Sequence, residues 1–381
     1  MQILPVASGK GGVGKSVVSS NLAIALGQFG KRVVLADLDL GASNLHLILG
    51  HRGERVGVGT FLVDKSIKFK DIILPTDYEN VEFIPGDAEI PGIANLNSGQ
   101  KAKVIRNLYS VEADYLIVDL GAGTSYNTID FFLTASRGII VTTSTLTSTL
   151  NAYLFLKNAI FRIMNNTFKK GTEAAALLEG MKKEGEQLQN VYIPKLLEIV
   201  KSADPDSYKL FLSVMENFRP LMIMNMLENP EEARKAEKIK RSCREYLGVQ
   251  LEHLGVLYFD HLQEIAQGSR IPITAYKPQG VLSQAIFRIA DKIIQKHEED
   301  HGTFFDVKEL EQSFEEAEME AEIDFEYKLK DLKNLLSSGA LSEGDLIETV
   351  NAQQYEILSL KKENQLLKSK LLKAADQGYR V

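Results

Sequence analysis

A doubly wound α/β fold with a mostly parallel sheet is predicted by three observations. Seven apolar runs read as buried strands, and helical patterns of crossover length separate them. A glycine-rich turn joins the first run to the first helical pattern. The runs are nearly continuous rather than alternating, as a parallel sheet covered on both faces requires.

In chain order, "ILPVAS" is the first strand, and "KSVVSSNLAIALGQFG" the first helix, with Gly30 placed to close it in a left-handed cap. "RVVLAD" comes next and leads into Asp37-x-Asp39. "VEFIPG" follows, then "DYLIVDL", which carries Asp119 at its end, and then "GIIVTT". "PLMIMN" ends on Asn225, and "HLGVLYF" runs up to Asp260. Residues 161–219 interrupt the alternation with a mostly helical stretch where one crossover would suffice. Apolar residues at helical spacing in "VYIPKLLEIVKSADPDSYKLFLSVMENF" read as helices packed on the core.

A composition shift at about residue 297 divides the chain into an α/β domain, residues 1–296, and a helical tail, 297–381. The tail is acidic first, in "EEDHGTFFDVKELEQSFEEAEMEAEIDFE", and basic afterwards. Its last part has a heptad register. Val350, Ile357, Asn364 and Leu371 share one position, and Gln353, Leu360, Leu367 and Ala374 the other. Leucines with one asparagine suit a two-stranded coil. Lys361, Lys362, Lys368, Lys370 and Lys373 also suit a helix lying on a membrane, but no Trp or Phe stands on the apolar side. A coil, or a hairpin folded back on the acidic stretch, is the expected form.

Composition narrows the function classes. At 44% hydrophobic and 25% charged residues the chain has the balance of a globular protein with a sizeable core. No apolar run reaches membrane-spanning length and "MQILPVAS" reads as a strand, so the expected location is the cytoplasm. Cys243 is the only cysteine, which excludes an intramolecular disulfide and a cysteine-rich cluster within one chain. A formal net charge of −7 argues against general polyanion binding, while a local basic patch stays open.

"GKGGVGKS" between a strand and a helix is the phosphate-binding loop in its proper context. Gly9, Gly11, Gly12, Val13 and Gly14 would present backbone N–H groups to an anion, with Val17 in the first helical turn. Lys15 would reach the β- and γ-phosphates, and the Ser16 hydroxyl would hold Mg²⁺. Asp37 and Asp39 stand at a strand C-terminus, where an open α/β sheet binds its ligands. They suit Mg²⁺ and water, though two aspartates can also simply cap the next turn. Asp119 ends an apolar strand about a hundred residues after the loop, which suits a second Mg²⁺ contact through water. Gly123 stands where a γ-phosphate-sensing switch would bend.

An ordinary phosphate loop needs one lysine, and here Lys10 stands beside Lys15. In this the sequence resembles the MinD/ParA family of P-loop ATPases, whose deviant loop reads KGGxGK[ST]; residues 10–16 match it throughout. The resemblance covers about residues 1–160 and 220–296. In flavour it is nearest the FlhG/FleN branch, through "DLGASNLHLILG", "FIPG" and "MNM". It implies ATP and Mg²⁺ as ligands and an ATP-sandwich homodimer in which Lys10 touches the partner's phosphates. It further implies Asp39 on the attacking water, Asp37 in the metal shell, and Asn225 at the adenine, with Asp260 in the segment closing around the base.

Three features depart from that branch. Ser144, Thr145 and Leu146 replace a Pro-Glu-Pro segment, Asn151 replaces an aspartate, and the phosphate loop starts where an activation segment would come first. The implied function is an ATP-hydrolysing dimerisation switch that positions a cellular structure through an unidentified protein partner. Partition of DNA by a ParA-like ATPase, or an amidoligase-type enzyme, are the alternatives. Association with DNA, or with the inner face of a membrane, stays open at this point.

Overall fold

The computed structural model describes residues 1–51, 56–87, 93, 95–183, 192–299 and 307–337. The heptad segment, 350–374, lies outside the described residues. Eight strands form one sheet: β1 (Gln2–Ala7), β2 (Val33–Leu38), β3 (Leu74–Pro75), β4 (Val81–Ile84), β5 (Tyr115–Leu120), β6 (Ile139–Thr142), β7 (Leu221–Leu227) and β8 (Glu252–Tyr258). Their order is β3-β4-β2-β5-β1-β6-β7-β8, and all pairings are parallel except β3 with β4. The seven expected strands are all present. The two-residue β3 has no counterpart among the apolar runs.

Every residue of β2 and β5 is buried, and successive side chains enter two different cores. Val33 and Leu35 pack with the first helix, Lys15–Gln28, and with the helix Val281–Glu299. Val34, Ala36 and Leu38 join the core on the other face. This period-2 alternation into two apolar layers explains why the strands read as unbroken apolar runs. Gly30 takes φ +77° just past the first helix, and Lys31 N–H reaches back to the Leu26 carbonyl at 3.1 Å. The expected left-handed cap is there.

The 161–219 stretch extends the crossover after β6 as the helix Leu146–Thr167, then adds Glu173–Lys183, Ile193–Ala203 and Pro205–Glu216. Ile193, Leu196, Val200 and Phe211 are buried in the same core as β2, so these helices thicken one face of the sheet.

The chain divides into two compact units, Met1–Phe325 and Glu326–Val381. The boundary expected at 296 is therefore corrected. The helix Val307–Ser337 begins inside the first unit, where Phe314, Ala317 and Ala321 are buried. The Tyr258 hydroxyl of edge strand β8 donates to the Ala321 carbonyl at 2.7 Å. Around that apolar seam the acidic residues meet bases of the α/β body: Arg234 with Glu318 at 2.6 Å, Lys292 with Glu320 at 2.9 Å, and Arg288 with Asp324. Of these, Arg234–Glu318 is exposed and contributes little, whereas Lys292–Glu320 is half-buried and Asp324 is buried, so the pairs set the register of a helix that Phe314 and the alanines seat.

His253 lies under this helix, fully buried, with Phe314 5.1 Å away between ring centroids. Its backbone N–H donates to the Ser313 hydroxyl at 3.4 Å. Burial, helped by Lys292 and Lys240, pushes its imidazole down from 6.5 to about 3. The folded chain thus refuses a proton that the unfolded chain accepts. Stability from this site is fully present above about 6.5 and should fall as pH drops from there toward 3. Thermal melting between pH 7 and pH 4 checks it. His253→Phe, neutral at every pH, should flatten that part of the profile; an unchanged slope would remove His253 as its source.

Candidate nucleotide site

The C-terminal ends of β1, β2 and β5 meet in register, Asp37 pairing with Asp119 across β2 and β5. The phosphate loop leaves β1 directly above them and enters the first helix at Gly14. Gly14 takes φ +79°, and a Cβ there would fall 2.3 Å from the Asn225 amide nitrogen. Only glycine meets both demands. Gly9 is as tightly placed, since a Cβ would come within 2.2 Å of the Asn151 carbonyl oxygen.

The two lysines occupy opposite environments. Lys15 is 6% exposed, and its ammonium lies 2.8 Å from the Asp119 carboxylate and 3.3 Å from the Ser16 hydroxyl. Lys10 is exposed, and no ion pair joins it to any described residue. The peptide carbonyl of Lys10 accepts the Ser8 hydroxyl at 2.9 Å, which fixes its backbone while the side chain stays in solvent.

Asp119 is the hub of the inner cluster. Ser16 donates to one carboxylate oxygen at 2.6 Å and Ser19 to the other at 2.7 Å. Ser19 was not singled out in the sequence. Its one signal is a small polar residue one helical turn after Lys15, on a helix buried nearly all round.

Asp37, expected in the metal shell, is held by the turn that follows β2. It is fully buried and accepts the Ser43 hydroxyl at 2.7 Å, the Leu45 N–H at 3.2 Å and the Asp39 N–H at 3.1 Å. Both oxygens are engaged in holding the turn that carries Asp39. Burial, then the nearby Asp119 charge, pushes the Asp37 carboxyl up to about 7. Asp39 itself is half-buried, with its carboxylate beside Gly121 just after β5. It thus flanks the crevice from the strand next to Asp119.

Three further residues have partners the sequence did not reveal. The Gly123 N–H donates to the Ser8 carbonyl at 3.0 Å, so this amide is already bonded to the base of the phosphate loop. Asn225 donates to the Val13 carbonyl at 2.9 Å, toward the loop rather than toward a base. Asp260 caps the helix His261–Gly268, accepting the Leu262 N–H at 2.9 Å.

The donors gathered here are hard oxygens, and no His/Cys/Asp/Glu group of metal-cage size occurs among the described residues. That set fits Mg²⁺, which binds through one or two protein oxygens and completes its shell with water and substrate phosphates. Backbone amides at a helix N-terminus and a buried lysine fit the phosphates themselves.

Three comparisons agree with this geometry. A family model described as "ParA: NUBPL iron-transfer P-loop NTPase" matches residues 1–157. The chain is similar to the antiactivator FleN of Pseudomonas aeruginosa, 25% identical over 297 residues that cover 77% of this chain and 86% of FleN. It is also similar to the septum site-determining protein MinD of Helicobacter pylori, 29% identical over 172 residues, 45% of this chain and 63% of that MinD. Among solved structures, MinD of Pyrococcus horikoshii complexed with Mg-ADP superposes with a TM-score of 0.54 at 21% identity. That match covers 78% of this chain and 97% of the other. The loop and sheet thus accompany a match of residues 1–157 to the ParA family model and a similarity to FleN and MinD proteins, with the fold shared with MinD.

Proposed function

We propose that this protein is an Mg²⁺-dependent ATPase that dimerises on ATP and resets by hydrolysis, a switch that positions a cellular structure through a protein partner. The observation that carries the reading is the division of labour between the lysines. Lys15 is buried on Asp119 where the chain's own phosphates would bind, while Lys10 is exposed at the same loop with no ion-pair partner among the described residues. A second copy, bringing a second set of phosphates, is the partner of matching charge. Leu146 and Leu150, 83% and 53% exposed on the helix whose Asn151 abuts Gly9, offer apolar area to that copy. In each subunit Lys15 and the loop amides would hold the phosphates, Ser16 and Asp119 the Mg²⁺ shell, and Asp39 the attacking water.

The positioning role is supported by a relative named for septum-site determination, MinD, beside one named as an antiactivator, FleN. Iron transfer, which the matching family model names, finds no thiolate here. Cys243 is buried, and burial pushes its thiol up to about 12. Among the described residues no helix is long and apolar enough to cross a membrane.

Light scattering tests the switch. Full-length protein with ATP and Mg²⁺ should double in mass relative to protein with ADP. A chain ended after Ser337 should behave alike, which separates nucleotide dimerisation from any pairing by the heptad segment. Ending it at 296 would strip away the docked helix. Equal mass with ATP and ADP in both would overturn the switch. If DNA partition is the role instead, ATP-loaded protein should bind nonspecific DNA with an affinity that falls steeply with salt.

A further inference from the structure

Asn225 is 6% exposed near the end of β7, 212 positions from the carbonyl it bonds. The strand is irregular here: its pairing with β8 shifts register between Met224 and Leu227. Met226 takes φ +58°, a left-handed conformation that costs a non-glycine residue strain and persists where the surroundings enforce it. This kink places the Asn225 amide under the phosphate loop, close enough to Gly14 that no Cβ fits between them.

The geometry has a consequence for the loop. No cis bond occurs among the described residues, and in a trans peptide the carbonyl and the following N–H point to opposite sides of the chain. A hydrogen bond that holds the Val13 carbonyl toward β7 therefore turns the Gly14 N–H away from β7. That N–H precedes the first residue of the helix, where donors converge on an anion. We infer that Asn225 is a positioning residue of the phosphate site, pinning the Val13–Gly14 peptide so that its N–H faces bound phosphate whichever base the nucleotide carries. The inference rests on the phosphate-loop reading above.

Tripolyphosphate, which has no base, separates this from a contact to adenine. Titration calorimetry with Mg²⁺ compares ATP, ITP and tripolyphosphate on the full chain and on Asn225→Ala and Asn225→Leu, the second keeping most of the volume without the amide. Affinity for all three should fall by the same factor, about 10–100-fold for one misdirected charge-assisted bond, with the preference for ATP over ITP unchanged. Weaker ATP with unaltered tripolyphosphate and a lost base preference would overturn it, and so would no change in any affinity. If the variants do not fold, the wild-type side-chain amide signal of Asn225 decides. It should shift with tripolyphosphate as with ATP; a shift with ATP alone would overturn the inference. Wild-type protein that binds neither ligand would instead remove the nucleotide reading itself.

Discussion

Asp39→Ala is expected to bind ATP and form the nucleotide dimer, then stay in it, with phosphate release slowed on the order of a hundredfold. The argument starts from what Asp39 does not do. Lys15, Ser16, Ser19 and Asp119 are bonded to one another without it, so the site that would hold phosphate and Mg²⁺ survives its removal. The turn also survives, because Asp37 holds it through the backbone N–H of Asp39 and through Ser43 and Leu45, none of which needs the Asp39 side chain. What is lost is a half-buried carboxylate at the crevice, beside Gly121, able to accept a proton from water. Size measurement with ATP beside a phosphate-release assay checks both halves. A variant that turns over at the wild-type rate, or that no longer dimerises, would take Asp39 out of the hydrolytic step.

The bonds within the site give a reason for nucleotide binding to move the segments around it. The groups a nucleotide needs are bonded to each other: Lys15 and Ser16 to Asp119, and the Gly123 N–H to Ser8. Mg²⁺ and phosphate must exchange these bonds rather than fill a waiting hollow. A γ-phosphate that drew the Gly123 N–H from Ser8 would release the segment after β5, whereas ADP has no such group to offer.

How far this was legible from the chain depends on whether the controlling partner is near in sequence. The seven main strands were readable because each feeds apolar side chains into both cores, leaving unbroken runs. β3 was not, being two residues with a proline on an antiparallel edge. The phosphate loop was readable because its glycines, lysine and serine are contiguous. The partners of Asn225 and Gly123 were not, since backbone carbonyls of Val13 and Ser8 give no residue-type signal, and of those of Asp37 only Ser43 uses a side chain. The tail boundary failed for a related reason. Its acidic run looked like a solvated arm, but the bases that receive it are far off in sequence: Arg234 in the turn before the helix Lys235–Ser242, and Arg288 and Lys292 on the helix Val281–Glu299 that packs on β8.

Lys10→Ala is expected to have the reverse effect of Asp39→Ala. One ATP should still bind each monomer, because Lys15 and the loop amides are untouched and Lys10 pairs with nothing among the described residues. Fold stability should stay within a few tenths of a kcal/mol of wild type, as for any exposed lysine without a partner. The dimer should nonetheless fail to form with ATP. Two bound triphosphates brought face to face repel strongly in a closing, poorly hydrated interface, and an exposed cation from each subunit is what offsets that repulsion. Turnover should fall with it, on the order of a hundredfold, because no positive charge then arrives at the bond being broken. Lys10→Arg keeps the charge but changes its shape and reach, so dimerisation should return in part while turnover stays low. Light scattering with ATP, calorimetry on the monomer and phosphate release give three separate readings. If Lys10→Ala dimerises normally with ATP, the outward lysine answers to something other than a second set of phosphates.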